Sequence, residues 1–367
     1  MSLQLHEERL IANSRAQSFP ESPLGITSPL NKYLNHLYVL GDPHLGRRFT
    51  AGVPLARRGE REAEIRELFH SEVVCVKPGR EFHVCMGDLF DGWSVDNETV
   101  EFAYRTYKEA SWRNPAITYI VLGGNHDKSK DKTKVSSFQI FAELCRDLPN
   151  VHVLTDTIMQ RTFDGLNFLF VPWVPWHSSN QQLFIEQPKF MTKGEDFKFI
   201  ALGHWDIEDY GKGEDEVPGL IPWQHLKAPQ CEGIITGHFH KRQRTIMNGI
   251  DVFVSGSMAP YAHGEDDDDA EDPLYLTLPR AEVLARLEAD PEAFANKCLR
   301  VLLADDEDAL ADINCLQLTM KRGAVGKNAD AVLDVKVDEF SLKFIFDQVM
   351  SEKGVSEELT RELWAKL

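Results

Sequence analysis

Phe82-His-Val-Cys-Met-Gly-Asp-Leu-Phe-Asp91 decides the fold. Its first half is a short apolar run, the pattern of a buried strand. Gly87 ends that run, and Asp88 and Asp91 follow at the strand's carboxyl end. The arrangement recurs along the chain. Upstream, His36-Leu-Tyr-Val-Leu40 runs into Gly41-Asp42-Pro-His44. Downstream, residues 117–122 run into Gly123-Gly124-Asn125-His126-Asp127. Phe197-Lys-Phe-Ile-Ala-Leu202 runs into Gly203-His204, and Glu232-Gly-Ile-Ile-Thr236 into Gly237-His238-Phe-His240.

Between and after the first three strands, residues 60–73, 98–110 and 138–148 carry helical spacing. Strand, motif, helix, repeated, predicts an α/β fold whose polar motifs gather at the carboxyl ends of strands. Past residue 150 the strands crowd together, at 151–154, 167–171, 198–202, 233–236, 244–247, 251–255 and 274–278. One edge of the sheets can therefore present every motif.

This core spans residues 36–280. Residues 1–35 carry Pro20, Pro23 and Pro29 without sustained periodicity and read as a partly irregular N-terminal extension. Residues 281–338 read as a small α+β cap, with a helix at 281–287 and strands at 298–303 and 331–337. Residues 339–367 hold two candidate helices. The first has apolar residues at 340, 344, 345 and 349, and Gly354 could end it. Ser356 could cap the second, with Glu357 and Glu358 favourable beside its positive end. Leu359, Leu363, Trp364 and Leu367 then form one apolar stripe.

Composition excludes several classes. The chain has 367 residues, 43% hydrophobic and 27% charged, as in a soluble globular protein. No apolar run reaches the roughly 18 residues of a membrane span, and the N-terminus lacks a secretory signal pattern. The six cysteines are scattered, which fits buried free thiols in the cytoplasm rather than a disulfide framework. A net charge of −18 argues against a surface that coats DNA uniformly. Part of that excess is local, since residues 265–272 hold seven acids in eight positions. That run reads as a solvated loop.

The motifs offer carboxylate, amide and imidazole groups and little else. Asp42 and His44 alternate across one residue, so an extended strand end can aim both at one ion. Asp88 can bridge two ions through its two oxygens. Asn125 adds a neutral oxygen, and His204, His238 and His240 complete a set large enough for two metal ions. Mixed nitrogen and oxygen donors suit manganese, iron or zinc better than calcium. His126 is surplus to the ligand count and suits protonation of a leaving oxygen or grip on a phosphate. Asp91 could orient it by accepting its other N–H, and Asp127 could play a similar supporting part. Any one of these motifs alone would more often be a turn with a cap; five in order at strand ends argue for paired metals and phosphate-ester hydrolysis. The other histidines (6, 36, 70, 83, 152, 177, 225, 263) lack such context and read as structural. Trp173, Trp176, Trp205 and Trp223 read as packing residues in preference to base-stacking platforms.

At these residues the chain resembles the calcineurin-like metallophosphoesterase superfamily. More narrowly, it resembles the SbcD family of double-strand-break repair nucleases, especially its phage-encoded members. Gly41-Asp-Pro-His-Leu-Gly46, Gly87-Asp-Leu-Phe-Asp91, Val171-Pro-Trp173, Gly203-His-Trp205, Gly237-His-Phe-His-Lys241 and Ser255-Gly-Ser257 followed by Gly264-Glu265 carry the resemblance. It implies a four-layer α/β/β/α sandwich with the cap and C-terminal helices appended. It implies one ion held by Asp42, His44, Asp88 and His240, and a second held by Asp88, Asn125, His204 and His238. Manganese is the expected metal and His126 the expected catalytic histidine. Asp91 falls where some members have a second histidine and others an aspartate. The family acts on DNA as exonuclease and as endonuclease near ends and hairpins. It works as a homodimer in a heterotetramer with an SbcC-type coiled-coil ATPase. The cap would contact DNA, and residues 339–367 would bind the ATPase. The expected location is cytoplasmic, in a host if the chain is phage-encoded. The N-terminal extension and the acidic run depart from the family pattern. A stand-alone phosphoesterase acting on small diesters or phosphoproteins is the competing enzyme reading, and a non-catalytic scaffold the competing binding one; the complete ligand set argues against the scaffold.

Overall fold

The computed structural model describes residues 19–76, 79–186, 197–207, 219–268 and 270–322. A short helix α1 (Leu30–Leu34) leads into β1 (Leu37–Leu40). Three helix–strand pairs follow: α2 (Glu60–Val74) with β2 (Phe82–Cys85), α3 (Asn97–Arg113) with β3 (Thr118–Leu122), and α4 (Ser137–Cys145) with β4 (Val151–Leu154). These strands form one parallel sheet in sequence order. Local chemistry starts the helices. The Asp96 carboxylate caps α3 by accepting from Thr99 N–H, and Ser136 and Gln139 form a reciprocal capping box on α4.

The second sheet is built from β5 (Met159–Phe163), β6 (Leu166–Val171), β7 (Phe199–Gly203), β8 (Cys231–Thr236), β9 (Gln243–Met247) and β10 (Ile250–Val254). Its order is β5-β6-β7-β8-β10-β9, with the four inner strands parallel and the two edge strands antiparallel. A helix α5 (Ser179–Glu186) intervenes between β6 and β7.

Side chains of a strand alternate between faces, and that alternation divides the core into layers. Leu37 and Val39 of β1 join Val84, Phe168, Ile200 and Phe253 between the sheets. Tyr38 and Leu40 point the other way, onto Ile65, Phe69, Tyr107 and Phe141 of the helices. On the outer face of the second sheet, Leu169, Ala201 and Ile234 pack against Leu183 of α5 and Trp205. The result is the α/β/β/α sandwich expected from the sequence.

Register places the motifs. Leu40 pairs with Cys85 and Cys85 with Val121, so the segments after β1, β2 and β3 emerge side by side. In the other sheet Gly203 pairs with Thr236, and Thr236 with Val254. Asp42 and Ser257 form an isolated bridge that joins the two sheets at this edge.

Two regions add to the expectation. Residues 19–35, part of the expected N-terminal extension, pack onto the core. Leu30, Tyr33 and Leu34 are buried between the sheets, and the hydroxyls of Ser22 and Ser28 donate to Asp251, which pairs at 2.8 Å with the buried Arg244. The acidic run is only partly solvated. Glu265 and Asp266 turn inward, Asp266 accepting from the N–H groups of Leu274 and Tyr275, while the exposed Asp268 and Asp272 pair with Lys241 and with the largely buried Lys297.

After these, β11 (Tyr275–Pro279), α6 (Arg280–Ala289), β12 (Cys298–Leu303) and β13 (Gln317–Arg322) make a three-stranded sheet with one helix. Leu318 N–H donates to the Gly52 carbonyl at 2.8 Å, tying it to the loop after the first motif. Described residues up to Val301, with Leu310–Met320, form one compact unit; Leu302–Ala309, Lys321 and Arg322 belong to a second. Within the second, the Arg322 guanidinium donates to the Asp305 carbonyl. The expected strand at 331–337, the helices of 339–367 and residues 1–18 lie outside the described residues. No helix among the described residues is long and apolar enough to cross a membrane.

Candidate metal centre

Three of the expected ligands sit in the left-handed backbone region: His44 at φ 45°, Asp88 at φ 46° and His238 at φ 76°. Non-glycine residues rarely adopt it, and at a cost of about 1–3 kcal/mol each they are held there by surrounding structure. Two glycines make the close approach possible. A Cβ on Gly87, at φ 121°, would lie 2.3 Å from His204 Nδ1, and one on Gly124 2.1 Å from Asp88 Oδ1.

The donors converge in three overlapping groups: Asp42, His44 and His240; Asp88, His204 and His238; and His44, Asp88 and His126. Asp88 belongs to two of them and is the residue between the histidines. Its Oδ2 is 3.8 Å from His44 Nε2 and 3.4 Å from His204 Nε2. His44 Nε2 and His240 Nε2 face each other at 3.0 Å. Asn125 Oδ1 lies 2.8 Å from His204 Nε2 and 2.9 Å from His238 Nδ1. All seven expected ligands are therefore brought together.

Neighbouring groups orient these donors. His204 Nδ1–H donates to the Met86 carbonyl at 3.0 Å, which turns Nε2 toward Asp88 and Asn125. His240 Nδ1 lies 3.1 Å from Glu265 Oε1, and the other Glu265 oxygen accepts from Tyr261 N–H. Asp42 Oδ2 accepts from His238 N–H at 2.8 Å. Asp127 is buried and accepts from the N–H groups of Leu89, Phe90 and Gly124, joining the second and third motifs. His126 is exposed. Its main-chain N–H donates to Asp88 Oδ1 and its Nδ1–H to the Asp91 carbonyl, both at 2.8 Å. The main chain of Asp91, not its carboxylate, thus holds the His126 ring. The carboxylate stands 3.3 Å from His44 Nδ1 and 3.8 Å from the Arg47 guanidinium.

These residues fit a pair of cations. Asp42 Oδ1 is buried and meets no hydrogen-bond donor among the described residues. Asn125 Oδ1 faces two ring nitrogens and the two Nε2 atoms face each other, positions at which a cation would stand in place of ring protons. Burial opposes the imidazolium at His204, yet Asp88 and Asp42 push it up to about 9. At Asp88 burial is outweighed by His204 and His44, and the carboxyl is held low; burial pushes Asp42 up.

Glu265, Tyr261 and Arg47 were not singled out by sequence reasoning as site residues. Glu265 sits in a quoted motif, but its place in an acidic run hid its part. Arg47 follows the first motif directly, with its guanidinium 5.2 Å over the Tyr261 ring.

An α/β/β/α sandwich with paired Asp and His donors at one sheet edge defines a metallophosphoesterase. Residues 36–242 match the calcineurin-like phosphoesterase family. The chain belongs to that family, whose fold binds divalent metal ions. No curated protein matches it. Among solved structures, a novel archaeal phosphodiesterase is similar over 62% of this chain and 87% of its own, at 14% identity and a TM-score of 0.29. GAP50, the anchor in the inner membrane complex of Plasmodium, is similar over 60% of this chain and 71% of its own, at 15% identity and a TM-score of 0.34.

Proposed function

We propose that this chain is the nuclease subunit of an SbcCD-type recombination and repair complex, hydrolysing DNA phosphodiesters with two manganese ions. The observation that carries the reading is the convergence of three donor groups, two of which contain Asp88 and one of these the exposed His126. Asp42, His44, Asp88 and His240 would hold one ion, and Asp88, Asn125, His204 and His238 the other. When bound, such ions supply an activated water and stabilise both oxygens of an in-line displacement.

The remaining work falls to the chain's own groups. With its Nδ1–H donated to the Asp91 carbonyl, the His126 ring in its imidazolium form would carry a second proton on Nε2, to donate to a phosphate oxygen or to pass to the leaving oxygen. The Asp91 carboxylate stands 3.3 Å from His44 Nδ1 and places a negative charge beside that ring. Glu265 positions His240. The choice of DNA is supported by the motif resemblance, including Gly264-Glu265, where Glu265 has this defined task. On the same reading residues 281–338 contact DNA. Residues 339–367 dock an SbcC-type ATPase in a heterotetramer built on a homodimer, in the cytoplasm.

The test is cleavage of linear and hairpin DNA by the purified chain with manganese, with and without the ATPase, beside bis-p-nitrophenyl phosphate. DNA cleavage abolished by Asp88→Ala is the expected result. His126→Ala is expected to retain both metals and lose cleavage by about 100-fold or more. Hydrolysis of the small ester with no DNA cleavage, even with the ATPase present, would overturn the nuclease reading.

A further inference from the structure

We propose that Trp93, Trp176 and the lysine loop 128–134 form a subsite for an unpaired nucleic-acid strand beside His126. The proposal rests on the nuclease reading above and names the form of DNA that the site grips.

The loop follows His126-Asp127 directly and reads Lys128-Ser-Lys-Asp-Lys-Thr-Lys134. In a chain of net charge −18 it concentrates four lysines against one aspartate. Lys128 is its anchor, buried and paired with Asp156 at 2.6 Å. Asp131 folds the rest, accepting from Thr133 N–H at 3.0 Å and from its hydroxyl at 2.7 Å, while Lys134 N–H donates to the Asp131 carbonyl. Lys132 and Lys134 are exposed, and neither forms an ion pair among the described residues.

Each of these two ammonium groups stands over a tryptophan. Lys134 Nζ is 5.2 Å from the Trp93 ring centre, and Lys132 Nζ is 4.9 Å from that of Trp176. Trp93 is 39% exposed and lies two residues past Asp91, whose carbonyl holds His126. Its own carbonyl accepts from Ser137 N–H at 2.8 Å, which fixes the turn that carries it. Trp176 is half-buried and keeps part of its surface open beside Lys132.

An ammonium over an exposed ring is worth about 0.5–1 kcal/mol, whereas a base stacked on an aromatic ring is worth about 1–3 kcal/mol. A base therefore displaces the lysine from the ring face, and the lysine moves to the adjoining phosphate. Two ring–ammonium pairs offer two stacking faces and two cations, the two kinds of contact that the bases and phosphates of a single strand can take. A duplex keeps its base faces inside its own stack and cannot use the rings.

The test uses the full-length protein, labelled oligothymidylate and a blunt duplex, with binding read by anisotropy over a salt series in EDTA. Trp93→Leu and Trp176→Leu are each expected to weaken oligothymidylate binding about tenfold, while Trp93→Phe retains most of it. Lys132→Gln with Lys134→Gln is expected to lower the salt slope by about 1.4, at roughly 0.7 per phosphate contact. Bis-p-nitrophenyl phosphate hydrolysis with manganese should be unchanged in every variant. Unchanged affinity and salt slope overturn the subsite, as does an equal loss for the duplex. Wild-type protein that binds the strand through these residues but cleaves no DNA removes the nuclease reading and keeps the subsite. DNA cleavage with unaffected variants does the reverse.

Discussion

Asp127 shows how much of this site depends on a residue that ligates nothing. Its carboxylate accepts three buried main-chain N–H groups, two from the segment after β2 and one from Gly124 after β3. Each buried donor left without a partner costs about 1–3 kcal/mol. Asp127→Ala is therefore expected to lose about 3 kcal/mol or more, measured by urea unfolding, and to weaken metal binding because Asp88 and Asn125 lose their relative placement. A loss under about 1 kcal/mol would mean that water replaces the carboxylate. A second residue acts through protonation. His83 on β2 is wholly buried, stacked on Tyr38, and burial pushes it down to about 3 from 6.5. Below pH 6.5 the unfolded chain takes up a proton that the folded one refuses, so stability falls as pH drops from 6.5 toward 3. Near pH 5 the loss is about 2 kcal/mol. His83→Phe should remove that part of the pH dependence, which parallel urea unfolding at neutral and acid pH would reveal. The candidate donors were legible in the sequence because each follows a short apolar run. The left-handed backbone at His44, Asp88 and His238 was not, since no residue type in those motifs demands it and only the close approach of two sheets enforces it.

Among the elements, α1 and the segment before it carry the clearest consequence. Three prolines and no periodicity made residues 1–35 read as an extension. What fastens residues 19–35 is tertiary: Tyr33 and Leu30 under the second sheet, and the hydroxyls of Ser22 and Ser28 on Asp251. No pattern within the segment announces partners more than 200 positions away. The Arg244–Asp251 pair is almost fully buried, with side chains 3% and 1% exposed. Removing one partner from a buried pair costs about 3–5 kcal/mol. Asp251→Ala is thus expected to destabilise the protein by about that much. Limited proteolysis should then cut before residue 36 faster than in the wild type, and an unchanged cleavage rate would mean that apolar burial alone retains the segment. Short polar strands were missed for a related reason. Met159–Phe163 and Gln317–Arg322 bury little and are fixed by their neighbours, whereas β2, β3 and β7 announced themselves through their apolar runs.

At the scale of the molecule, two sheets meet with their carboxyl ends at one edge, and two buried carboxylates are placed there by that meeting. Asp42 and Asp88 come from the first sheet, His204, His238 and His240 from the second. Cations held between them would bind the folded chain and not the unfolded one, because no single segment carries the full set. Such a ligand stabilises by about 2.7 kcal/mol at a hundredfold excess over its Kd, which corresponds to a rise in melting temperature on the order of 5 °C. Manganese should therefore raise the melting temperature of EDTA-treated protein, and Asp88→Asn should lose most of the rise. Asp127→Ala starts from a lower melting temperature, and its manganese-induced rise should fall short of the wild type's but exceed that of Asp88→Asn, because it displaces ligands without removing one. Equal rises in wild type and Asp88→Asn would place the cations elsewhere and remove the assignment of Asp88 as the shared ligand. The asymmetry between sheets makes the experiment discriminating: His204→Ala and Asp42→Ala each empty one set, so each should lose about half of the effect if the two ions bind independently.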